Sequence, residues 1–207
     1  MVTEARKKYR QELRRTILDA AREAFTAHGY EGVSMRMLAE RIGCSHGSLY
    51  THFRGKDEIF DALVDESFQS LAESLRAITA ASPATDVIRL VRKAAHAYVD
   101  FGADNPSAYE FAFILRRPGP PRPPHAAYGL LRALVKRCID ENRFRRMRVD
   151  LAAQALWAAV HGITTLLILR PSFPWAGREA VVRRVIDSAV DGLLAPKVAR
   201  PDQRGRR

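Results

Sequence analysis

The sequence predicts an all-α protein, with an N-terminal three-helix helix-turn-helix head and a helical-bundle body, about nine helices in total. Two observations support this fold class. In every long segment, apolar residues recur at the three- and four-residue spacing of one helix face. Residues 34–56 also contain two short helical patterns joined by a glycine. No segment alternates apolar and polar residues as a half-buried strand does, and no repeat or βαβ unit is visible.

The first predicted helix runs over residues 12–28, after a basic arm at residues 1–10. Its apolar side chains follow helical spacing, and Gly29 ends it. The apolar face consists of Leu13, Ile17, Ala20, Ala21, Ala24 and Phe25. Because three short helices bury little apolar surface, we expect the head, residues 11–58, to lean on the helix that follows it.

Two serines and one glycine define the second and third helices. Ser34 is a favourable N-cap for a helix that directs Leu38 and Ile42 toward the core. Gly43 tolerates the left-handed conformation that ends a helix, and Ser45 can cap the next one. The bend between the two helices is therefore encoded locally.

In the third helix, Leu49 and Phe53 lie one turn apart and face the core, which leaves a small, polar outer face around Gly47. A glycine weakens a helix by about 1 kcal/mol relative to alanine, so we infer that something approaches the backbone closely at this position. A helix-turn-helix places one such face in the major groove of DNA, which makes a DNA strand the natural candidate.

Residues 17–65 closely resemble the N-terminal head of the TetR family of bacterial transcriptional regulators. The segments AAREAFTAHGYEGVS, LAERIGCS, GSLYTHF and GKDEIF occur in the order and spacing of that family. A weaker resemblance links NPSAYEFAF and WAAVHG to the regulatory domain of a TetR subgroup with a Trp-x-x-x-His-Gly motif. The resemblance implies a homodimer that represses or otherwise regulates a promoter by binding a palindromic double-stranded DNA operator. It also implies release when a small molecule binds in the C-terminal helical domain.

Carried over position by position, the resemblance assigns nine residues to the DNA interface. Phosphate contacts are expected from Ser34, Tyr50, His52 and Lys56, and groove contacts from Arg36, Ser45, His46, Gly47 and Ser48. Arg36 could read a guanine edge with two hydrogen bonds. Simpler roles stay open, because the serines can act only as caps, Tyr50 can be partly a packing residue, and the basic arm can be a solvated tail.

The net charge supports nucleic-acid binding only weakly. The chain carries a formal charge of +11, but residues 1–60 contribute only +3, with 11 basic and 8 acidic side chains. Residues 116–148 contribute +8, and the last twelve residues contribute +4. The prediction of DNA binding therefore depends on the motif and not on overall basicity.

Other functional classes lack a signature. Cys44 and Cys138 are too few for a disulfide framework or a metal site, so we expect reduced thiols, with a redox role for Cys44 left open. The six histidines show no metal or nucleophile spacing, so we expect no cofactor, no metal and no enzyme activity. No signal peptide is visible, and the apolar run at residues 163–169 is too short to span a bilayer. A cytoplasmic protein without a membrane partner is expected.

The body, residues 59–195, shows six further helical patterns. They cover residues 59–80, 86–101, 107–115, 126–141, 149–169 and 177–194. Ser82-Pro83 and a proline-rich basic loop at residues 116–125 interrupt them, and a disordered basic tail is predicted at residues 196–207. The pattern at residues 149–169 is apolar nearly all round, which is typical of a helix buried on several sides. With residues 177–194, it is expected to form the homodimer interface.

The body must also hold the effector that the resemblance implies, and an apolar or aromatic small molecule is expected. Six residues with aromatic rings are predicted to bind the ligand: Tyr98, Phe101, Tyr109, Phe113, Trp157 and His161. Phe111 is an additional candidate. Trp157 and His161 lie one turn apart on the same helix face. Any of these rings can equally be ordinary core, and the imidazole of His161 needs a partner, which can be a ligand, a carbonyl or water.

Two alternative functions remain. The body could be an enzyme or cofactor carrier that uses the helix-turn-helix only for docking, which a bound metal or a turned-over product would reveal. The chain could also be a DNA-binding protein without a ligand, which a body with no cavity beside Trp157 would favour.

Overall fold

The computed structural model describes residues 2–80, 85–118 and 126–196. Over these residues the regular structure is helical, apart from one isolated antiparallel bridge between Phe144 and Leu194. The described part of the chain contains nine α-helices, and a π-helical segment, Glu110–Ile114, continues the sixth. The all-α prediction is confirmed.

The helices follow the predicted order, with small shifts at their ends apart from the start of α1. They are α1 (Val2–His28), α2 (Met35–Ile42), α3 (His46–Tyr50), α4 (Lys56–Thr79), α5 (Val87–Asp104), α6 (Pro106–Tyr109), α7 (Ala126–Asp140), α8 (Val149–Leu169) and α9 (Arg178–Asp191). Ser82-Pro83, residues 119–125 of the proline-rich loop and residues 197–207 of the predicted tail lie outside the described residues.

Helix α1 begins at Val2, so the segment predicted to be an arm is helical. Residues 2–11 contain no glycine or proline and include good helix formers such as Ala5 and Lys7. Glu4 lies in the first turn, where a negative charge interacts favourably with the helix dipole. The sequence pattern missed this part because apolar periodicity marks only the part of a helix that is buried.

The chain forms two compact units. Unit 1 comprises Met1–Ser74 and Phe101–Ala127, and unit 2 comprises Leu75–Asp100 and Tyr128–Arg207. The predicted boundary between residues 58 and 59 does not coincide with this division. The physical reason is that the core of the head takes side chains from α4 and from the π-helical segment, as the packing of unit 1 shows.

The core of unit 1 is built around three phenylalanines. Phe60 of α4 packs edge-on against Phe25 of α1, with ring centroids 5.3 Å apart. Phe111 lies 6.1 Å from Phe25 and 5.6 Å from Phe60, and it is 1% exposed. The head packs against α4, as expected from the small size of the head. Ile59 and Leu63 of α4 are fully buried in the same cluster. The contribution of Phe111, a residue predicted to line a ligand site, was not expected.

The bend between α2 and α3 forms as predicted. The Ser34 hydroxyl accepts the backbone N–H of Met37 at 3.2 Å, and the Ser45 hydroxyl accepts that of Ser48 at 3.1 Å. Gly43 has a φ of 72°, in the left-handed region that favours glycine. Both short helices are therefore capped by their own sequence.

Polar groups connect the segment after the π-helix to the start of α4. The Arg117 guanidinium donates two hydrogen bonds to the Asp61 carboxylate, at 2.8 and 2.7 Å, and lies 4.0 Å from Asp57. Asp57 accepts a hydrogen bond from the Tyr30 hydroxyl. Burial, followed by the bond to Asp57, raises the pKa of Tyr30 to about 12. Because Arg117 lies in a segment predicted to be an exposed loop, this network was not anticipated.

Unit 2 is a helical bundle closed by ion pairs. Arg92 of α5 bonds to Asp187 at 2.9 Å and to Asp191 at 2.5 Å on α9. Arg132 of α7 bonds to Asp150 of α8 at 2.7 Å. The fully or nearly fully buried side chains of unit 2 include Val87, Leu90, Val91, Val135, Cys138, Phe144, Ile186 and Val190.

Within this chain, helix α8 is buried on one face only, so the predicted burial on several sides would require a partner. Its buried face includes Leu156 and Ile163. On the other side, Leu151 is 59% exposed, and Leu166 and Leu169 are each 50% exposed. An all-round apolar pattern does not reveal which face the chain itself covers.

Among the described helices, α8 alone has the length and apolar composition to cross a membrane. The whole helix meets that criterion, although the run at residues 163–169 does not. One third of its most apolar stretch is buried inside the protein. Core helices of soluble proteins have the same properties, so this feature is weak support for a membrane location.

We predict that Gly43→Ala destabilises the protein, whereas Gly47→Ala does not. Alanine at the positive φ of Gly43 should cost about 1 kcal/mol or more. At Gly47, φ is not positive and an added Cβ would meet no atom within 4 Å, so alanine should be neutral or slightly stabilising. Urea denaturation followed by circular dichroism measures both. Equal losses of stability for the two variants would contradict this account of the turn.

We also predict that Arg117→Gln lowers the free energy of unfolding by about 1–3 kcal/mol, because it removes the charged, two-pronged hydrogen bond that Arg117 makes to the half-buried Asp61 carboxylate. Arg116→Gln is the matched control, since it removes the same side chain from an exposed neighbouring position. Urea denaturation again gives the comparison. If both variants are as stable as the wild type, the Arg117 network does not hold unit 1 together.

Candidate functional site

The outer face of α3 is exposed and polar, as predicted. Ser45, His46, Gly47 and Tyr50 are exposed, and Ser48 is half-buried. The rings of His46 and Tyr50 pack edge-on with centroids 4.9 Å apart. Leu49 and Phe53 point the other way and are 0% and 2% exposed. The buried side of α3 therefore fixes the orientation of its exposed side, which is the side that would meet a DNA groove.

Gly47 has no structural reason to be glycine within the described residues. Its backbone is not in the left-handed region, and an added Cβ would have open space around it. By contrast, a Cβ at Gly32 would lie 2.4 Å from the carbonyl oxygen of His28, so that glycine is required by the fold. The open space at Gly47 is compatible with a molecule outside the chain that approaches the backbone there.

The capping roles of Ser34 and Ser45 do not exclude contacts with DNA. Each hydroxyl accepts one backbone N–H, and both residues are exposed. A serine hydroxyl that accepts one hydrogen bond still has its own proton to donate. The same side chain can therefore cap a helix and donate to a phosphate oxygen.

Arg36 projects from α2 with 85% of its side chain exposed. Its Nε donates to Glu40 at 2.8 Å, and this hydrogen bond raises the pKa of the guanidinium. An ion pair between two exposed side chains is weak. Arg36 can consequently exchange Glu40 for a base edge at small cost.

Lys56 has partners inside the protein, which the sequence did not reveal. Its ammonium donates to the carbonyl oxygen of Tyr30 at 3.1 Å, and it lies 4.3 Å from the centroid of the Tyr30 ring. Glu31 is 3.9 Å away. Lys56 therefore fixes the chain between α1 and α2 to the start of α4, whether or not it also contacts a phosphate.

The start of α1 supports the far end of α3. Arg10 donates to the carbonyl oxygen of Thr51 at 3.4 Å, and the Arg14 guanidinium lies 5.0 Å from the Phe53 ring centroid. Burial, followed by the charges of Arg10 and Arg14, lowers the pKa of His52. At neutral pH, His52 is thus a neutral hydrogen-bonding group in a basic setting. Part of the predicted arm has a structural role here.

The six predicted ligand-binding residues are divided between the two units. Phe101, Tyr109 and Phe113 lie in unit 1, and the other three lie in unit 2. In unit 1, Phe101 and Tyr109 are 5% and 0% exposed. The Phe113 ring packs against Tyr109 at 4.8 Å and against Phe68 at 5.1 Å between centroids.

In unit 2, the predicted residues Tyr98, Trp157 and His161 contact one another. The Tyr98 hydroxyl lies 3.0 Å from Nδ1 of His161, and the Trp157 indole N–H donates to the Tyr98 oxygen at 3.4 Å. Burial lowers the pKa of His161, so its imidazole is neutral at neutral pH. The indole N–H can only donate, whereas the direction of the bond between Tyr98 and His161 depends on which imidazole nitrogen carries the proton.

A fourth aromatic residue, Tyr128 of α7, joins this group and was missed in the sequence. Its ring centroid lies 6.2 Å from that of Trp157, in an edge-on arrangement. We refer to Tyr98, Tyr128, Trp157 and His161 as the unit 2 aromatic cluster. Tyr128 was overlooked because one aromatic residue in an amphipathic helix looks like ordinary core.

Both cysteines are free. Cys138 is fully buried, and burial raises the pKa of its thiol to about 12. Cys44 is half-buried. Within residues 2–80, 85–118 and 126–196, no three His, Cys, Asp or Glu side chains are grouped so that they could hold a metal ion.

Two protein-family models match the chain. One, described as bacterial regulatory proteins of the tetR family, matches residues 17–63, which include α2 and α3. The other, described as a tetracyclin repressor-like C-terminal domain, matches residues 91–192. Together they cover well over half of the chain.

Two curated relatives match over about 60 residues each. The HTH-type transcriptional repressor AcnR of Corynebacterium diphtheriae is 43% identical over 60 residues, covering 29% of this chain and 32% of AcnR. A second such repressor, Rv1474c of Mycobacterium tuberculosis, is 44% identical over 59 residues, covering 28% of this chain and 32% of its own length. The chain thus matches about one third of the length of these relatives.

Solved structures share the fold along nearly the whole chain. A tetR-family regulatory protein from Rhodococcus RHA1 has a TM-score of 0.67 at 21% identity, covering 88% of this chain and 97% of that one. SmeT in complex with triclosan has a TM-score of 0.68 at 20% identity, covering 94% and 97%. Members of this family regulate transcription and are not enzymes, as the sequence predicted for this protein. The chain belongs to the TetR family of bacterial transcriptional regulators.

Proposed function

We propose that the protein is a cytoplasmic homodimeric repressor that binds a palindromic operator through α3 of each head and releases it when a small molecule binds in unit 2. The observation that carries the DNA-binding part is the exposed face of α3, where Gly47 leaves its backbone open and polar side chains surround it. The match of residues 17–63 to the tetR family model supports the same assignment.

The proposed interface combines groove and phosphate contacts. Base edges would be met by Arg36, Ser45, His46, Gly47 and Ser48, and phosphates by Ser34, Tyr50, His52 and Lys56. Phosphate contacts fix the register of a protein on the duplex, and base contacts specify the sequence. Lys56 and His52 have partners inside unit 1, so substitutions there would disturb the fold together with any DNA contact.

The exposed face of α8 is the proposed dimer interface, together with α9. Large apolar residues at Leu151, Leu166 and Leu169 alternate with small ones on the same face of the helix. The small residues are Ala155, Ala158 and Gly162. A Cβ added at Gly162 would meet no atom within 4 Å. A long apolar helix face that its own chain leaves open is typical of an interface between subunits.

In such a dimer, the two copies of α3 would enter successive major grooves on one side of the duplex. Their half-sites would then lie about 34–36 Å apart, one helical turn of DNA. A two-fold axis between subunits requires a pseudo-palindromic operator, since each head reads the same short sequence in opposite orientation.

The unit 2 aromatic cluster is the proposed effector site. SmeT, which shares the fold, forms a complex with triclosan. Tyr98, Trp157 and His161 supply flat apolar surface together with hydrogen-bonding groups, a combination suited to an apolar or aromatic ligand. Phe101, Tyr109 and Phe113 in unit 1 stay predicted ligand contacts, and their close mutual packing also fits a purely structural role.

The DNA-binding proposal is tested by selection of binding sites from random double-stranded DNA with the purified protein. We expect the recovered sequences to share two inverted half-sites with centres about one helical turn, or a multiple of it, apart. Tyr50→Phe should weaken gel-shift binding to the selected site about tenfold, because it removes a donor to phosphate but keeps the ring contact with His46.

Two variants sharpen this test. Gly47→Ala should also weaken binding without loss of stability, because its methyl group would occupy the space that the DNA needs. Tyr128→Phe is the matched control, as it removes the same hydroxyl from unit 2 and should leave the affinity of the ligand-free protein unchanged. A selection that yields no common sequence would overturn the function, and unchanged binding by both α3 variants would overturn the interface.

The dimer proposal predicts that Leu166→Glu combined with Leu169→Glu converts the protein to a monomer in sedimentation-velocity experiments. Two buried carboxylates at an apolar interface would be desolvated without a partner. Tyr9→Glu serves as a control, because it removes another exposed apolar side chain, 68% exposed, from α1. A wild-type protein that sediments as a monomer, or a variant that stays dimeric, would exclude this interface.

A further inference from the structure

The hydroxyl of Tyr128 is a buried polar atom that the fold does not satisfy. Its oxygen is buried, yet it has no hydrogen-bond partner among the described residues. Buried side-chain polar atoms almost always have a partner, because an unpaired one loses its bond to water and gains nothing in return. Phenylalanine at this position would give the same ring packing without that penalty. The hydroxyl therefore calls for an explanation that the isolated chain does not supply.

The ring that carries this hydroxyl belongs to a partly exposed aromatic cluster. The Tyr128 ring packs edge-on against Trp157, whose side chain is 37% exposed although it lies in an aromatic cluster. Trp157 in turn contacts His161, with ring centroids 5.7 Å apart. A partly exposed indole between two further rings offers a flat apolar surface next to the ring that carries the unsatisfied hydroxyl.

The other polar groups of the cluster bond to one another. The Trp157 N–H donates to Tyr98, and the Tyr98 hydroxyl is hydrogen-bonded to Nδ1 of His161. Tyr128 is therefore the member of the cluster whose hydroxyl proton has no acceptor among the described residues. On α7, Arg132 follows one turn later, but its charge is balanced by Asp150 at 2.7 Å. The site consequently offers a hydrogen-bond donor without demanding a full negative charge.

We propose that the Tyr128 hydroxyl is the polar anchor of the effector site, and that the effector is a flat apolar molecule carrying an oxygen that accepts a hydrogen bond. The ring system of the effector stacks on Trp157, and its carbonyl or ether oxygen accepts the Tyr128 proton. This inference rests on the proposed function, because it specifies the ligand that the unit 2 aromatic cluster would bind. It adds one residue and one chemical requirement to that site.

Two ligands of nearly identical shape provide the test. Methyl naphthyl ketone has an acceptor oxygen, whereas isopropenyl naphthalene carries a methylene group in its place. We expect the wild-type protein to bind the ketone about three- to tenfold more tightly than the hydrocarbon in a titration of tryptophan fluorescence, the usual effect of one net hydrogen bond. In Tyr128→Phe, both ligands should bind with the affinity of the hydrocarbon. Comparing the effect of changing the ligand in the wild type with its effect in Tyr128→Phe gives the contribution of the hydrogen bond alone, because differences in ligand hydrophobicity affect both proteins equally.

Tyr50→Phe is the control variant, because it removes a tyrosine hydroxyl from unit 1 and should retain the full preference for the ketone. The thermal midpoint of Tyr128→Phe without ligand should equal or exceed that of the wild type, since no native hydrogen bond is lost. A marked drop would mean that the hydroxyl has a structural partner, such as a bound water, and would overturn the proposal. An equal preference for the ketone in wild type and Tyr128→Phe, or no binding of either probe at millimolar concentration, would overturn it as well.

These outcomes are separable from the fate of the proposed function. Operator selection by the ligand-free protein does not depend on Tyr128. If selection succeeds but the ketone preference is absent, the effector chemistry is wrong and the regulator assignment stands. If the ketone binds as expected but selection yields no operator, the proposed function fails and unit 2 is a ligand-binding site with another role.

Discussion

The presentation of α3, the helix that we propose reads DNA, depends on one constraint: three short helices do not bury enough apolar surface to hold their own shape. Unit 1 meets this constraint by adding α4 and residues 101–118 from further along the chain. Phe111 completes the ring cluster of Phe25 and Phe60, and Arg117 binds the carboxylate of Asp61. The orientation of α3 is therefore a property of all of unit 1. A change in the packing of residues 101–118 would therefore alter the packing of the helix-turn-helix head, because these residues contact it directly.

The features that the sequence predicted well are those encoded within one or two turns. Serine at residues 34 and 45 and glycine at residue 43 have local preferences that tertiary structure did not override. The buried face of α3 followed from the spacing of Leu49 and Phe53. Apolar periodicity likewise located every long helix of the described residues. It marks only the part of a helix that has a buried face, so it missed the exposed start of α1.

Features that depend on pairing between distant residues were not predictable. Nothing near Lys56 in the sequence indicates that its ammonium binds a carbonyl oxygen 26 residues earlier. The neutral state of His52 depends on burial and on two arginines of α1. Tyr128 and Arg117 could not be singled out for the same reason, since a tyrosine in an amphipathic helix and an arginine beside prolines have ordinary local roles. Only the three-dimensional structure shows whether the polar atoms of a side chain have hydrogen-bond partners.

The charge distribution indicates what kind of DNA binding this head is suited to. Salt-dependent, sequence-independent affinity grows with the number of phosphates that a protein neutralises with Lys and Arg. Residues 1–60 carry a net charge of only +3, Lys56 is already engaged with Tyr30, and His52 is neutral. In the proposed interface, the serines at residues 34, 45 and 48 and Tyr50 would meet the duplex as neutral donors, and the helix caps hold Ser34 and Ser45 in place. Such a surface would gain less from counterion release than from the fit of donors to their acceptors, so its geometry, set by unit 1, would matter more to operator recognition than the basicity of the chain.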